Sequence, residues 1–154
     1  MTGLRSTAVQ ESNAALDRLP RGMRRAIEEV LEPGEEVLGV WRTRGFGANA
    51  LVCAPTRALI AKRTDLIHWS VGAFRYSELA SVEMLDSRPG ATQVELAPLE
   101  PGPAPQAGPF DDFPDAYYQE SRRLVAPNTV MFRSRGRARE ATKALEGLIA
   151  KHRP

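Results

Sequence analysis

The sequence contains few of the residues from which catalytic and metal sites are usually built. Its 154 residues include one cysteine, Cys53, and two histidines, His68 and His152. A single cysteine excludes an intrachain disulfide and a cysteine-rich metal site. His68 has no carboxylate near it in the sequence that could orient it as a base, and no HExxH, CxxC or glycine-rich phosphate-binding motif is present. We therefore expect no catalytic residue, no metal and no cofactor, and we predict that the protein is not an enzyme.

Long hydrophobic runs are also missing. No run approaches the roughly 18 apolar residues that a membrane-spanning helix needs, and the first 20 residues lack the apolar middle of a secretory signal. Hydrophobic residues make up 42% of the chain and charged residues 26%, as in ordinary soluble domains. The length fits one domain plus appendages, and we expect a cytoplasmic protein.

The net charge of +2 is too small to indicate a nucleic-acid partner by itself. Charge is unevenly distributed, because residues 131–154 contain seven bases and two acids, whereas residues 99–120 contain five acids and no base. The basic segment lacks interleaved aromatic residues and any nucleic-acid-binding motif, so nucleic acid is not the expected partner. Arginine supplies 18 of the 21 basic residues, which a GC-rich genome would also produce without a functional cause.

Both ends of the chain have the apolar periodicity of amphipathic helices. A helix is predicted from about Asn13 to Leu31, interrupted at Pro20 because proline cannot continue an existing helix. Residues 1–12 are expected to be disordered. A second helix is predicted over Arg137–His152, with an apolar face of Ala138, Ala141, Thr142, Leu145, Leu148 and Ile149. The stripe of the first helix, formed by Met23, Ile27, Val30 and Leu31, must likewise cover an apolar surface.

Seven short strands are predicted between these two helical segments. They span Glu36–Arg44, Ala50–Ala54, Ala58–Arg63, Leu66–Val71, Leu79–Leu85, Thr92–Ala97 and Thr129–Arg133. Residues typical of turns separate most of them, for example Pro55-Thr56-Arg57. Alternation of apolar and polar residues is clearest in the sixth strand, where Val94 and Leu96 oppose Glu95. Several short strands of this kind indicate an antiparallel sandwich or barrel.

Residues 98–127 differ in composition from the rest of the chain. Six of the twelve prolines lie between Pro98 and Pro114, a composition that favours extended or disordered backbone. Disordered segments are usually poor in aromatic residues, but the second part of the insertion contains Phe110, Phe113, Tyr117 and Tyr118. Three aspartates accompany them. We therefore expect the second part to dock as a lid on a basic surface or to bind a partner.

Three segments resemble bacterial pleckstrin-homology (PH)-like domains. Leu31–Glu36 (LEPGEE) is similar to the opening that precedes their first strand. Leu51–Ile60 (LVCAPTRALI) resembles the hairpin between their second and third strands, and Phe74–Val82 (FRYSELASV) resembles the entry to their fifth strand. Seven strands followed by one C-terminal helix is also the layout of this fold. The resemblance covers residues 31–152 apart from the insertion.

The resemblance implies a mainly β (α+β) fold, a seven-stranded PH-like antiparallel barrel or sandwich capped by a C-terminal α-helix, with an extra N-terminal helix. Residues 1–31 would form a disordered tail and this helix, and residues 32–153 the PH-like domain with its insertion at 98–127. The insertion is longer than a hairpin requires. The basic pair that phosphoinositide-binding members place around the first hairpin is only partly matched, by Arg42 and Arg44. Lipid recognition therefore does not follow from the fold.

Two groups of basic residues are candidates for binding an anion. The first group lies at the ends of the first and third predicted strands, which share one rim of an up-and-down meander. It consists of Arg42, Arg44, Lys62 and Arg63. The second group, with Arg135 and Arg137, begins the C-terminal helix. Positive charge there opposes the helix dipole at a cost of ~0.3–1 kcal/mol per residue, whereas arginines and free backbone N–H groups can hold an anion together. Solvated surface charge is the alternative interpretation of both groups.

Taken together, these features predict a non-catalytic binding or scaffolding module that mediates protein–protein contacts or self-assembly. Peripheral association with an anionic membrane is the alternative function. It would use the basic rim, which is the group formed by Arg42, Arg44, Lys62 and Arg63. Nucleic-acid binding and catalysis are more distant alternatives. The apolar stripe of the N-terminal helix favours a homo-oligomer, because the C-terminal helix already covers the mouth of the barrel.

Overall fold

The computed structural model describes residues 7–43, 49–63, 69–88, 90–99 and 128–153. Within these ranges the chain forms three α-helices and seven strands. The helices are α1 (Thr7–Asp17), α2 (Arg21–Val30) and α3 (Arg135–Lys151). The strands are β1 (Gly39–Thr43), β2 (Asn49–Cys53), β3 (Arg57–Arg63), β4 (Trp69–Arg75), β5 (Leu79–Arg88), β6 (Ala91–Pro98) and β7 (Thr129–Phe132).

The strands form two antiparallel sheets, which confirms the predicted mainly β class. The four-stranded sheet has the order β1-β2-β3-β4, and the three-stranded sheet has the order β5-β6-β7. No strand pairing between the two sheets occurs among the described residues, so they do not close into a barrel there. A short 3-10 turn, Tyr76–Glu78, carries the chain from one sheet to the other.

The main core lies between the two sheets and is closed by α3. Alternation along each strand directs Leu51 and Ile60 of the four-stranded sheet toward Val94 and Phe132 of the three-stranded sheet. Leu145 of α3 is fully buried in the same cluster. The predicted apolar face of the C-terminal helix is therefore confirmed, and this helix packs against the three-stranded sheet β5-β6-β7.

A second core covers the outer face of the four-stranded sheet, which is the face turned away from β5–β7. Met23 and Ile27 of α2 are fully buried there against Val52 and Leu59. The apolar stripe of the N-terminal region is thus buried within its own chain. This stripe was the reason to expect a homo-oligomer. Because it is covered within one chain, self-association would need another surface.

The helix boundaries differ from the sequence prediction for local reasons. The predicted interruption at Pro20 is confirmed, since α1 ends at Asp17 and α2 begins at Arg21. Helix α1 already begins at Thr7, within the segment that was expected to be disordered. Helix α3 begins at Arg135, two residues earlier than predicted, because the Ser134 hydroxyl accepts a hydrogen bond from the backbone N–H of Arg137 (3.3 Å) and caps the first turn.

Strand β4 is displaced toward the C-terminus relative to its predicted span of residues 66–71. It runs to Arg75, where the chain is anchored by the next residue. The Tyr76 hydroxyl donates to the Ala54 carbonyl (2.7 Å), and the Tyr76 backbone N–H donates to the Thr56 carbonyl (3.1 Å). These two bonds hold the end of β4 against the β2–β3 hairpin, a long-range constraint that strand periodicity does not contain.

Candidate binding surface

The three segments that resemble PH-like domains meet at one corner of the structure. Arg57, from the β2–β3 hairpin, forms a bidentate pair with Glu35: its Nε donates to Oε2 (2.9 Å) and its Nη2 to Oε1 (2.7 Å). The same Nη2 also donates to the Val30 carbonyl at the end of α2 (2.8 Å). Tyr76, from the third segment, closes the other side of this hairpin through Ala54. The corner joins α2 and the two sheets.

The electrostatics of this corner indicate a structural role. The hydrogen bond from Arg57 holds the pKa of the Glu35 carboxyl below its ordinary value, and the same bond raises the pKa of Arg57. Both side chains are largely buried, and their charges satisfy each other. A bidentate pair of this kind leaves little binding capacity for an external anion. We therefore assign Glu35 and Arg57 to folding and not to ligand recognition.

The structure divides the predicted basic rim between the two faces of the four-stranded sheet. Arg42 pairs with Ala50, and Ala50 pairs with Ala61, so Arg42 lies on the outer face. Lys62 is the next residue after Ala61 and therefore points to the inner face. Arg63 returns to the outer face, where its guanidinium lies 5.7 Å from the ring centroid of Trp69. Arg44 lies outside the described residues, as do the predicted lid residues Phe110, Phe113, Tyr117 and Tyr118.

Lys62 is buried between the sheets, with only 8% of its surface exposed. Its Nζ donates to the hydroxyl of Thr129 on β7 (2.7 Å), which links the two sheets. Burial lowers the pKa of Lys62 from its ordinary value of 10.5 to about 8. The residue thus acts as a polar bridge inside the sandwich and does not extend from a rim toward solvent.

The lowered pKa of Lys62 predicts that stability rises in alkaline solution. The unfolded chain binds the lysine proton up to pH 10.5, while the folded chain releases it near pH 8. The stability difference between the wild-type protein and Lys62→Met should therefore shift toward the wild type by up to about 3 kcal/mol between pH 7 and pH 11. Urea unfolding at several pH values measures this shift. The exposed Lys143→Met is the matched control, and an equal pH response in both variants would contradict the burial of the charge.

One residue from each of the two basic groups that the sequence suggested is in contact with the other. Arg137 Nη1 donates to the backbone carbonyl of Arg42 (3.3 Å), which brings the first turn of α3 next to edge strand β1. The Arg42 Nε is buried and has no hydrogen-bond partner in the described part of the chain. Because Arg42 and Arg137 are 95 positions apart, no local pattern in the sequence could have predicted their contact.

Arg135 extends from the other side of the same helical turn. Its Nη1 lies 3.1 Å from Asp86 Oδ2 on β5, with the two side chains 63% and 57% exposed. Exposed pairs of this kind contribute little to stability, typically about 0–1 kcal/mol, so a partner could replace the aspartate at small cost. Arg139 is also exposed on this helix. We call Arg135, Arg137 and Arg139, the exposed arginines in the first turns of α3, the arginine surface.

In the described part of the structure the Cys53 thiol and the Tyr76 hydroxyl are buried, and His152 is half-buried. Burial raises the pKa of the Cys53 thiol to about 12. Burial and the neighbouring Cys53 raise the pKa of Tyr76 as well. The His152 ring lies against Tyr76, with 5.4 Å between centroids, and its Nδ1 is 2.8 Å from the Leu148 carbonyl. These contacts fit packing roles, and His68 lies outside the described residues.

Comparison of the whole chain with known proteins identifies no relative. No family model, no curated protein and no solved structure matches it. In the ranges that the structure describes, no three His, Cys, Asp or Glu side chains are grouped as a metal site would require. None of the described helices has both the length and the apolar character needed to cross a membrane. A function for this chain is therefore inferred from the residues on its own surface.

Proposed function

We propose that this chain is a cytoplasmic, non-catalytic binding module with a PH-like arrangement of its strands. Two features support the PH-like arrangement. The strands form a four-stranded and then a three-stranded sheet in sequence order, and the helix that follows them closes the core between the sheets. A further feature is the corner at which the three PH-like segments touch, through Glu35, Arg57 and Tyr76. Since that corner is occupied by internal contacts, the binding site must lie elsewhere.

The arginine surface is the best candidate for that site, and an acidic segment of a partner protein is the ligand it fits. The observation that carries this proposal is the accumulation of exposed arginines at the first turns of α3, with no acidic residue in its first turn. This arrangement opposes the helix dipole. Arg137 is held in place by the Arg42 carbonyl, so part of the surface is ordered before a ligand arrives. Preorganised arginines bind carboxylates more tightly because less side-chain entropy is lost.

Affinity capture from the lysate of the source cells tests the proposal. The wild-type protein is expected to retain a specific protein, and Arg135→Glu combined with Arg137→Glu should abolish that retention by charge repulsion. Lys143→Glu combined with Lys151→Glu is the matched control, because these exposed residues lie later in the same helix and change the net charge equally. Capture that survives the arginine reversal would overturn the assignment of the surface.

Peripheral membrane association through the same arginines is the second candidate. Each arginine near an anionic bilayer contributes about 1 kcal/mol, and salt screens this contribution. Sedimentation with vesicles that contain phosphatidylserine distinguishes the two functions. Salt-sensitive sedimentation that is lost in the arginine-reversal variant would favour the membrane, whereas a protein partner predicts no vesicle binding by the wild-type protein.

A further inference from the structure

Strand β4 is an open edge of the four-stranded sheet. It pairs with β3 along its full length, from Trp69 to Arg75. Its backbone groups that point away from β3 have no hydrogen-bond partner in the described part of the chain. Ser70, Ala73 and Arg75 are exposed. An edge of seven residues with no proline and a single charge is a template for pairing with another strand.

Two of the other edge strands in the described residues, β1 and β5, accept backbone hydrogen bonds from side chains elsewhere in the fold. The Arg42 carbonyl of β1 accepts a hydrogen bond from Arg137 (3.3 Å). The Ala80 carbonyl of β5 accepts one from Arg153 at the far end of α3 (2.8 Å). Long basic side chains at an edge hinder the approach of a further strand. Among the residues that the structure describes, no side chain makes an equivalent contact with edge strand β4.

We propose that β4 pairs antiparallel with β4 of a second copy of this chain, so that the two four-stranded sheets become one continuous sheet. The proposal goes beyond the binding function assigned to the arginine surface and does not depend on it. An antiparallel pair of identical strands closes on a two-fold axis, which produces a dimer and no further growth. The occupant is therefore a second molecule of the same protein.

The sequence of β4 is complementary to itself in this orientation. All seven residues overlap only when Gly72 faces Gly72 of the second copy, and glycine at the axis permits close approach of the two backbones. In that register Trp69 lies opposite Arg75 of the second copy, and this pair occurs twice. Both residues lie on the outer face, since they are six positions apart. Arginine over an aromatic ring is favourable, and Arg63 already makes this contact with Trp69 inside one copy.

The charges of α2 support the same partner. This helix has Arg21, Arg24 and Arg25 in its first turns and Glu28 and Glu29 near its end, so the charges at both ends oppose the helix dipole. Helix α2 packs on β3 and β4, next to the proposed axis. The two-fold axis makes the α2 helices of the two copies antiparallel. Within one copy Arg24 Nε already lies 3.8 Å from Glu28 Oε1, and in the proposed dimer the basic start of each helix lies on the side of the acidic end of the other.

Sedimentation velocity of the full chain over a series of protein concentrations tests the proposal. We expect a reversible monomer–dimer equilibrium. Ala73→Lys, which adds a charge to the exposed β4 edge, should raise the dimer dissociation constant by about tenfold, because the symmetric interface contains the substitution twice. Ser81→Lys is the matched control, since it adds the same charge to an exposed position of edge strand β5, and it should leave the dissociation constant unchanged.

The register can be tested by cross-linking, because the chain's own thiol, Cys53, is buried. Gly72→Cys should form a disulfide-linked dimer under mild oxidation. If that variant does not fold, Ala73→Cys should be cross-linked by a short bismaleimide. A monomer at every concentration would overturn the proposal, as would equal dissociation constants for Ala73→Lys and Ser81→Lys. Reversal of Arg135 and Arg137 should leave the dimer intact, so failure of the proposed binding function can be told apart from failure of the dimer.

Discussion

Leu145→Ala is expected to lower the free energy of unfolding by about 2–5 kcal/mol. Leu145 is completely buried and contacts the core that both sheets share, so removal of its side chain leaves a cavity at the point where α3 closes the sandwich. A loss of this size is a large part of the stability of a small domain, which is typically about 5–15 kcal/mol. Urea denaturation followed by circular dichroism measures it.

Two further substitutions in α3 serve as controls for Leu145→Ala. Leu148 lies at the margin of the same core and is half-buried, so Leu148→Ala should cost less. Glu146 is exposed, and Glu146→Ala should change stability by less than about 0.5 kcal/mol. If Leu145→Ala behaved like Glu146→Ala, the placement of α3 over the core between the sheets would be wrong.

The elements of this fold were largely predictable because each has a local cause. Pro20 breaks the N-terminal helical segment since its ring cannot continue a helix. The stripe of α3 repeats with the helical period, and the residues at these positions are buried as predicted except Leu148, which is half-buried. The seven strands were found in the correct order, with errors in their ends. The largest shift, at β4, was caused by the contacts of Tyr76 with the β2–β3 hairpin, which depend on tertiary structure.

The candidate site was less predictable, because a site depends on which strand faces which. Alternation along β3 places Lys62 and Arg63 on opposite faces, but the sequence does not show which face is buried. The strand register decides the face. Arg42 pairs with Ala50 and Ala50 pairs with Ala61, so Arg42 lies on the same face of the sheet as Arg63. The contact between Arg42 and Arg137 likewise depends on where α3 crosses the edge of β1. The distribution of charge along the sequence identified both basic groups, but it could not predict that Arg42 and Arg137 are in contact.

The pairing of Glu35 with Arg57 shows a related limit. The two residues belong to different PH-like segments, and their spacing of 22 positions has no helical or strand meaning. Only the folded chain shows that one segment neutralises the other. Residues on which a resemblance depends can therefore be residues that hold the fold together, so the resemblance by itself does not locate a binding site.

Ile27→Ala is expected to cost about 2–5 kcal/mol as well, although this residue belongs to a different core. Ile27 is fully buried between α2 and the outer face of the four-stranded sheet, where it packs with Val52 and Leu59. If this stripe were instead covered by a second subunit, the loss would depend on protein concentration. We expect the same loss at low and high concentration, measured by urea unfolding. Arg25→Ala, at an exposed position of α2, is the control with a small effect.

Combining Ile27→Ala with Leu145→Ala tests whether the two cores are separate. The four-stranded sheet lies between them, and no residue belongs to both clusters. Substitutions that share no partner add to within about 0.5 kcal/mol, so the double variant should lose the sum of the two single losses. If that sum exceeds the total stability, the double variant will be unfolded, and Ile27→Val with Leu145→Ala then provides the measurable pair. A coupling well above this margin would mean that α2 and α3 stabilise one continuous core, and that the four-stranded sheet transmits strain between them.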